Sequence, residues 1–307
     1  MRKPLVMEIE KIMRSRGVLI PVFAAVFLLA GLPSAEEFPP AEIRAFVSIL
    51  PQAYFVERVG GSHVEVEVLV APGQSPATFE PTPKQMAALS RADVYFRIGL
   101  PFEDRLLKKL TAASDRLRVV DTRRGIVLRP MEETHGHAHA GKGDPHIWLD
   151  PKLARIQAKN IADGLTRLDP SHEPIFRENL LAFQADLDRV DSTIAEILAP
   201  LKDRKFYVFH PSYGYFGDAY DLKQVAVQAG GKEPGAKQLA ELIDKAKREE
   251  ARVIFVQPQF SKSSAKTIAG AIGGTVVPLD PLARDYLENL ERMAREITRA
   301  LSKIGHD

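Results

Sequence analysis

The sequence predicts an α/β protein of two lobes, each built on a central sheet, joined by one long, stiff helix. In the first half, strand-like runs alternate with helical patterns, as in a parallel or mixed sheet with crossover helices. The second half repeats that alternation. Between them lies an apolar stripe at helical spacing, and 307 residues with 45% hydrophobic content are enough for two medium-sized cores.

Residues 1–35 read as a secretory signal. The stretch 17–30 is almost purely apolar, follows Arg14 and Arg16, and gives way to Leu32-Pro33-Ser34-Ala35 before Glu36 and Glu37, so cleavage is expected near Ala35. A transmembrane anchor is the alternative, but the run is shorter than the ~20 residues that a span needs. Pro33 is a poor residue three before the cut, and Met13 makes a more ordinary signal start than Met1.

The first lobe, 41–169, carries strand-like runs at 43–50, 64–70, 94–98 and 117–120, with helical patterns at 83–91 and 103–113. Asp150-Pro151 has the form of an N-cap and first helical residue, opening a helix through Leu153, Ile156, Ile161, Leu165 and Leu168. In the linking segment, 170–203, Phe176, Leu180, Phe183, Leu187, Val190, Ile194, Leu198 and Leu201 recur at steps of four and three. At 1.5 Å per residue that helix would be about 40 Å long, enough to span two stacked lobes. The second lobe, 204–307, has strands at 206–209, 224–227, 253–256 and 275–277, and helices at 236–249 and 287–304.

In open α/β sheets, ligands bind just beyond the carboxyl ends of the strands. Four loops carrying Pro and polar residues stand at or near such positions. Three present a potential metal ligand: His146 in Asp144-Pro-His-Ile-Trp-Leu-Asp150, His210 in Phe209-His-Pro211, and Asp280 in Leu279-Asp-Pro281. Each also has a purely structural reading, as a loop histidine or a turn cap. Together, two imidazoles and a carboxylate from distant loops suit a borderline-soft cation such as zinc better than calcium or magnesium. The fourth loop, Pro76-Ala-Thr-Phe-Glu-Pro-Thr-Pro83, has Ala77 where a ligand would complete the set.

The segments 73–86, 144–151, 209–217, 254–261 and 277–283 together resemble the ZnuA/TroA-like metal-binding proteins of bacterial ABC importers, over essentially the whole chain after the leader. The resemblance implies two α/β lobes joined by a rigid helix, with the metal held in the interlobe cleft. It makes His146, His210 and Asp280 the second, third and fourth ligands, with Ala77 in place of the first histidine. A histidine at position 210, where manganese members tend to have Glu, points to zinc as the cargo rather than manganese. It further implies a periplasmic location, an ABC-transporter permease as partner, a monomer, and no catalysis.

Three groups compete for the coordination position at Ala77: water, the Glu80 carboxylate, and the imidazoles of His135, His137 and His139. The last precede His146 by seven residues, a tether that extends up to ~24 Å. Two readings from other classes stay open: a secreted zinc hydrolase using an open coordination position, and an adhesion protein that no longer transports. His63, His172 and His306 lie on polar or terminal segments and take no role.

Composition removes other classes. Residues 1–35 carry five Lys/Arg and two Asp/Glu, so the remainder has 37 basic and 38 acidic side chains, a net charge of −1. A near-neutral chain has no electrostatic footprint for nucleic acid. Cysteine is absent, which excludes disulfides, thiolate zinc sites and a lipid-bearing cysteine. There is no phosphate-binding Gly-rich loop followed by Lys-Ser/Thr, no Gly-x-Ser-x-Gly elbow and no His-Glu-x-x-His.

Overall fold

A computed structural model describes residues 43–111, 116–131, 143–227, 235–260 and 262–302. Residues 1–35, expected from sequence to be a secretory signal, and His135, His137 and His139 lie outside them. The strands are β1 (Ile43–Val47), β2 (Val64–Val68), β3 (Val94–Arg97), β4 (Arg118–Asp121), β5 (Lys205–Val208), β6 (Lys223–Ala226), β7 (Val253–Val256) and β8 (Thr275–Pro278). The helices are α1 (Leu50–Gly60), α2 (Pro83–Leu89), α3 (Glu103–Thr111), α4 (Pro151–Leu168), α5 (Glu173–Leu198), α6 (Gly214–Ala219), α7 (Ala236–Arg248), α8 (Lys262–Ala271) and α9 (Tyr286–Ser302). No helix among the described residues is long and apolar enough to cross a membrane.

Two four-stranded sheets form, in the orders β2-β1-β3-β4 and β6-β5-β7-β8, with every pairing parallel. In both, the chain lays one strand to one side of the first and then crosses to the other. The crevice lies where that direction reverses, between β1 and β3 in the first lobe and between β5 and β7 in the second.

Several local signals act as expected. Asp150 caps α4, its carboxylate accepting from the Lys152 N–H at 2.8 Å, and Pro151 opens the helix. Thr82 and Gln85 form a reciprocal capping box at α2. The 26-residue α5 buries Phe176, Phe183, Leu187, Val190, Ile194 and Leu198, each contributing roughly 1.5–3 kcal/mol of transfer free energy. It packs on α1 and α4 of the first lobe and on α9 of the second. The first strand stops at Val47 rather than running to residue 50, because Pro51 at the first turn of α1 turns the apolar run helical.

One apolar core runs through both lobes, and a smaller one is confined to the second. Alternation along β5 and β7 separates them: Phe206, Val208, Val253 and Phe255 join the shared core, while Tyr207, Phe209, Ile254 and Val256 face the second cluster with Ala246, Ala265 and Ile268. The shared core is stitched by polar contacts. The Trp148 indole N–H donates to the Pro281 carbonyl at 2.8 Å, and the Tyr286 hydroxyl donates to the Trp148 carbonyl at 2.5 Å. The Tyr286 ring also meets Phe55 edge-on at 4.7 Å.

Candidate metal centre

His210 stands at the crevice of the second sheet. The buried strand β5 delivers Phe209-His210-Pro211, and the first residue after β7, fully buried Gln257, holds that turn. The Gln257 side chain accepts from the His210 N–H at 3.2 Å and donates to the His210 carbonyl at 2.7 Å and to Ser212 Oγ at 3.0 Å. A two-way amide clamp of this kind fixes the backbone from which the imidazole projects. The ring itself stacks on Phe260, centroids 4.9 Å apart at 29°.

His146 sits just before a 3₁₀ turn, Ile147–Leu149, that leads into α4. It is 7% exposed. The Asp144 Oδ1 atom accepts from the His146 backbone N–H at 3.0 Å and lies 2.6 Å from Nδ1. That places the ring proton on Nδ1 and leaves Nε2 as the basic nitrogen.

The two imidazoles meet edge to face, centroids 5.4 Å apart at 74°. A ring that binds zinc through nitrogen at ~2.0–2.1 Å has its centroid about 3 Å from the ion, so two rings on one tetrahedral ion lie about 5 Å apart. The observed spacing is close to that.

Asp280 follows β8, one residue beyond Leu279. Its Oδ1 accepts from Gln259 Nε2 at 2.8 Å and from the Leu282 N–H at 2.9 Å. Its carbonyl accepts from Asn289 at 2.7 Å. Its charge also reaches the buried Tyr213, whose hydroxyl is pushed well above its ordinary pKa, first by burial and then by Asp280. Yet no group of three or more His, Cys, Asp or Glu side chains gathers to hold a metal among the described residues. The histidines are brought together; Asp280 is instead engaged by neighbouring N–H donors. Glu80 is exposed, as is Ala77, whose N–H donates to Ser75 Oγ at 3.3 Å. Their loop is pinned by Phe79 packing on Phe102, ring centroids 4.9 Å apart.

A family model described as zinc-uptake complex component A, periplasmic (ZnuA) matches residues 46–300. The chain belongs to the ZnuA family. It is 28% identical over 298 residues to the zinc-binding lipoprotein AdcA of Streptococcus pneumoniae, covering 94% of this chain and 58% of that protein. The chain therefore spans little more than half of that relative. It is 26% identical over 284 residues to the high-affinity zinc uptake system protein ZnuA of Bacillus subtilis, covering 85% of this chain and 87% of that one. Among solved structures, a ZnuA deletion mutant with zinc bound superimposes with a TM-score of 0.78 at 43% identity, over 84% of this chain and 97% of that one.

Within this ZnuA-family fold, sequence reasoning missed several polar residues. Glu103 fills the crevice of the first sheet. It is fully buried, with carboxylate contacts to Ser48 Oγ at 2.5 Å, the Ile98 N–H at 3.1 Å and the Gly99 N–H at 2.6 Å. Burial raises its pKa above the ordinary carboxyl range despite those bonds. His63 and His172, given no role from sequence, stack at 4.0 Å and 32° beside the buried Phe176. His172 Nδ1 pairs with Asp169, whose pKa falls to about 2 through its hydrogen bonds to Ser171 and His172. The two tilted rings pack against each other and against Phe176 at the start of α5. In the sequence, the one local trace of these groupings is an Asp two or three residues before a His.

Proposed function

We propose that this chain is a periplasmic receptor that captures zinc as cargo and passes it to the membrane permease of an ABC importer. The observation that carries the reading is the imidazole pair at 5.4 Å, offered from loops of two different lobes. Membership of a zinc-uptake family supports it. His146 and His210 bind as neutral imidazoles, and Asp280 supplies the carboxylate once its side chain turns from Gln259 toward the ion. Glu80, water or an imidazole of His135, His137 or His139 fills the position at Ala77. Residues 1–35 direct export and are cleaved near Ala35. The receptor acts as a monomer, binds no nucleic acid and catalyses no reaction. The family match supports carriage over the hydrolase and adhesion alternatives.

Calorimetric titration of the purified protein with zinc tests the ligand set. One tightly bound equivalent is expected, weakened at least a hundredfold by His146→Ala or His210→Ala. Wild-type affinity in both variants would overturn the reading.

A further inference from the structure

The geometry points to Asp144 and Arg129 as positioning residues that aim the His146 imidazole and lock its loop to the loop carrying His210. The inference rests on the zinc reading above. Asp144 is fully buried, and its Oδ1 holds both the backbone and Nδ1 of His146. A carboxylate behind a metal-binding imidazole fixes the tautomer, orients the ring and raises its donor strength.

A buried carboxylate is unfavourable unless another charge balances it. Arg129 supplies the opposite charge, with guanidinium Nη1 3.5 Å from Asp144 Oδ2, an ion-pair approach without a hydrogen bond between those two atoms, while its Nε lies 3.0 Å from Asp218 Oδ2 on α6 of the other lobe. The backbones are joined as well: the Asp144 N–H donates to the Arg129 carbonyl at 2.8 Å. Tyr215, also on α6, closes the loop. Its hydroxyl accepts from the Arg129 N–H at 3.0 Å and donates to the Asp144 carbonyl at 2.9 Å.

Gly214 shows how closely the lobes meet here. A Cβ on it would stand 1.3 Å from an Arg129 guanidinium nitrogen and 3.1 Å from Asp144 Oδ2. Gly214 begins α6, directly after the His210-Pro211-Ser212-Tyr213 segment. The strut therefore ties together the two chain segments that bring the imidazoles, which reduces the ordering left to be done when the ion binds.

The test uses the full chain with zinc and with cobalt(II), whose visible absorption reports the ligand field. Asp144→Asn, Arg129→Gln and Tyr215→Phe are compared with wild type and with His146→Ala. Zinc affinity is expected to fall about 10–100-fold in Asp144→Asn and by a smaller factor in the other two. Stoichiometry should be unchanged and the cobalt bands shifted. The double variant Asp144→Asn/Arg129→Gln should lose less than the product of the single losses. A purely structural role would lower the denaturation midpoint while leaving affinity and cobalt bands at wild-type values, and that result overturns the inference. If Asp144→Asn does not fold, Tyr215→Phe decides by the same criteria. If His146→Ala keeps full zinc affinity, the zinc reading fails first; if it loses affinity while the positioning variants do not, only the positioning claim fails.

Discussion

The two sheets share one topology but use the crevice between their central strands in opposite ways. In the first lobe that crevice is sealed. Glu103, Ser48 and Tyr95 fill it, and Gln52 straps it, accepting from the Ser48 N–H at 3.1 Å and donating to the Phe96 carbonyl at 3.1 Å. In the second lobe another amide, Gln257, straps the turn of His210 and leaves that residue partly exposed. The difference teaches that this topology offers a site without compelling one. A buried acid satisfied by backbone N–H groups makes a structural plug, whereas a histidine whose backbone is clamped projects its ring beside Phe260 and 5.4 Å from the ring of His146.

The contrast breaks most readily at His210. His210→Ala should weaken zinc binding at least a hundredfold while leaving the urea midpoint within error, and an equal loss of stability would make His210 as structural as Glu103. Next in size, Glu103→Ala leaves the Ile98 and Gly99 N–H groups buried without an acceptor, at a cost of about 2–4 kcal/mol. Chemical denaturation reads that loss; zinc affinity should change less than about threefold, and a large drop would mean that the plug contributes to the site. A smaller effect is expected from Ala77→His, which adds an imidazole to the exposed loop of the first lobe. Tightening of about tenfold, or ~1.4 kcal/mol, would show that the sealed lobe accepts a ligand on its rim. No gain would mean that another group already fills that position.

The smallest effect is in pH dependence. Burial holds the Glu103 carboxyl above its unfolded value. Its contribution to stability is therefore complete below the unfolded pKa of ~4.3 and is lost as pH rises through the folded value. Glu103→Gln cannot ionise, so the stability of wild type relative to the variant should decline with rising pH across that window. Parallel stability curves would contradict the raised pKa.

Much of this architecture was legible because periodicity is local. The Asp150-Pro151 cap, the stripe from Phe176 to Leu198 and the alternating segments of both lobes are written in adjacent residues. Helix α1 was hidden because its buried face, including Pro51, Phe55, Val56 and Val59, continues directly from an apolar strand. Six-residue α6 is too short to show a period, and Lys262–Ala271 carries mostly small side chains, so α8 has only a faint apolar stripe. The loops carrying His146 and His210 could be picked out from their place after or before regular elements. Arg129 and Gln257 could not, because each acts on a partner whose proximity the fold alone creates, as with Arg129 and Tyr215, 86 positions apart, whereas Asp144 and Glu103 serve near neighbours, His146 and the Ile98 and Gly99 N–H groups, without a periodic pattern to mark them. The pairing of His63 with His172 escaped for the first of these reasons.

The apolar core that runs unbroken from β1 to α9 bears on how an ion gets in and out. A clamshell swing would wet Trp148, Phe55 and Tyr286, all of them sealed from solvent, at roughly 1.5–3 kcal/mol for each large side chain exposed. If the chain carries zinc as proposed, exchange of the ion would then rely on rotation of side chains and small displacements of loops at the rim. On the same proposal, the contour of that rim is the feature by which a permease would distinguish the loaded form from the empty one.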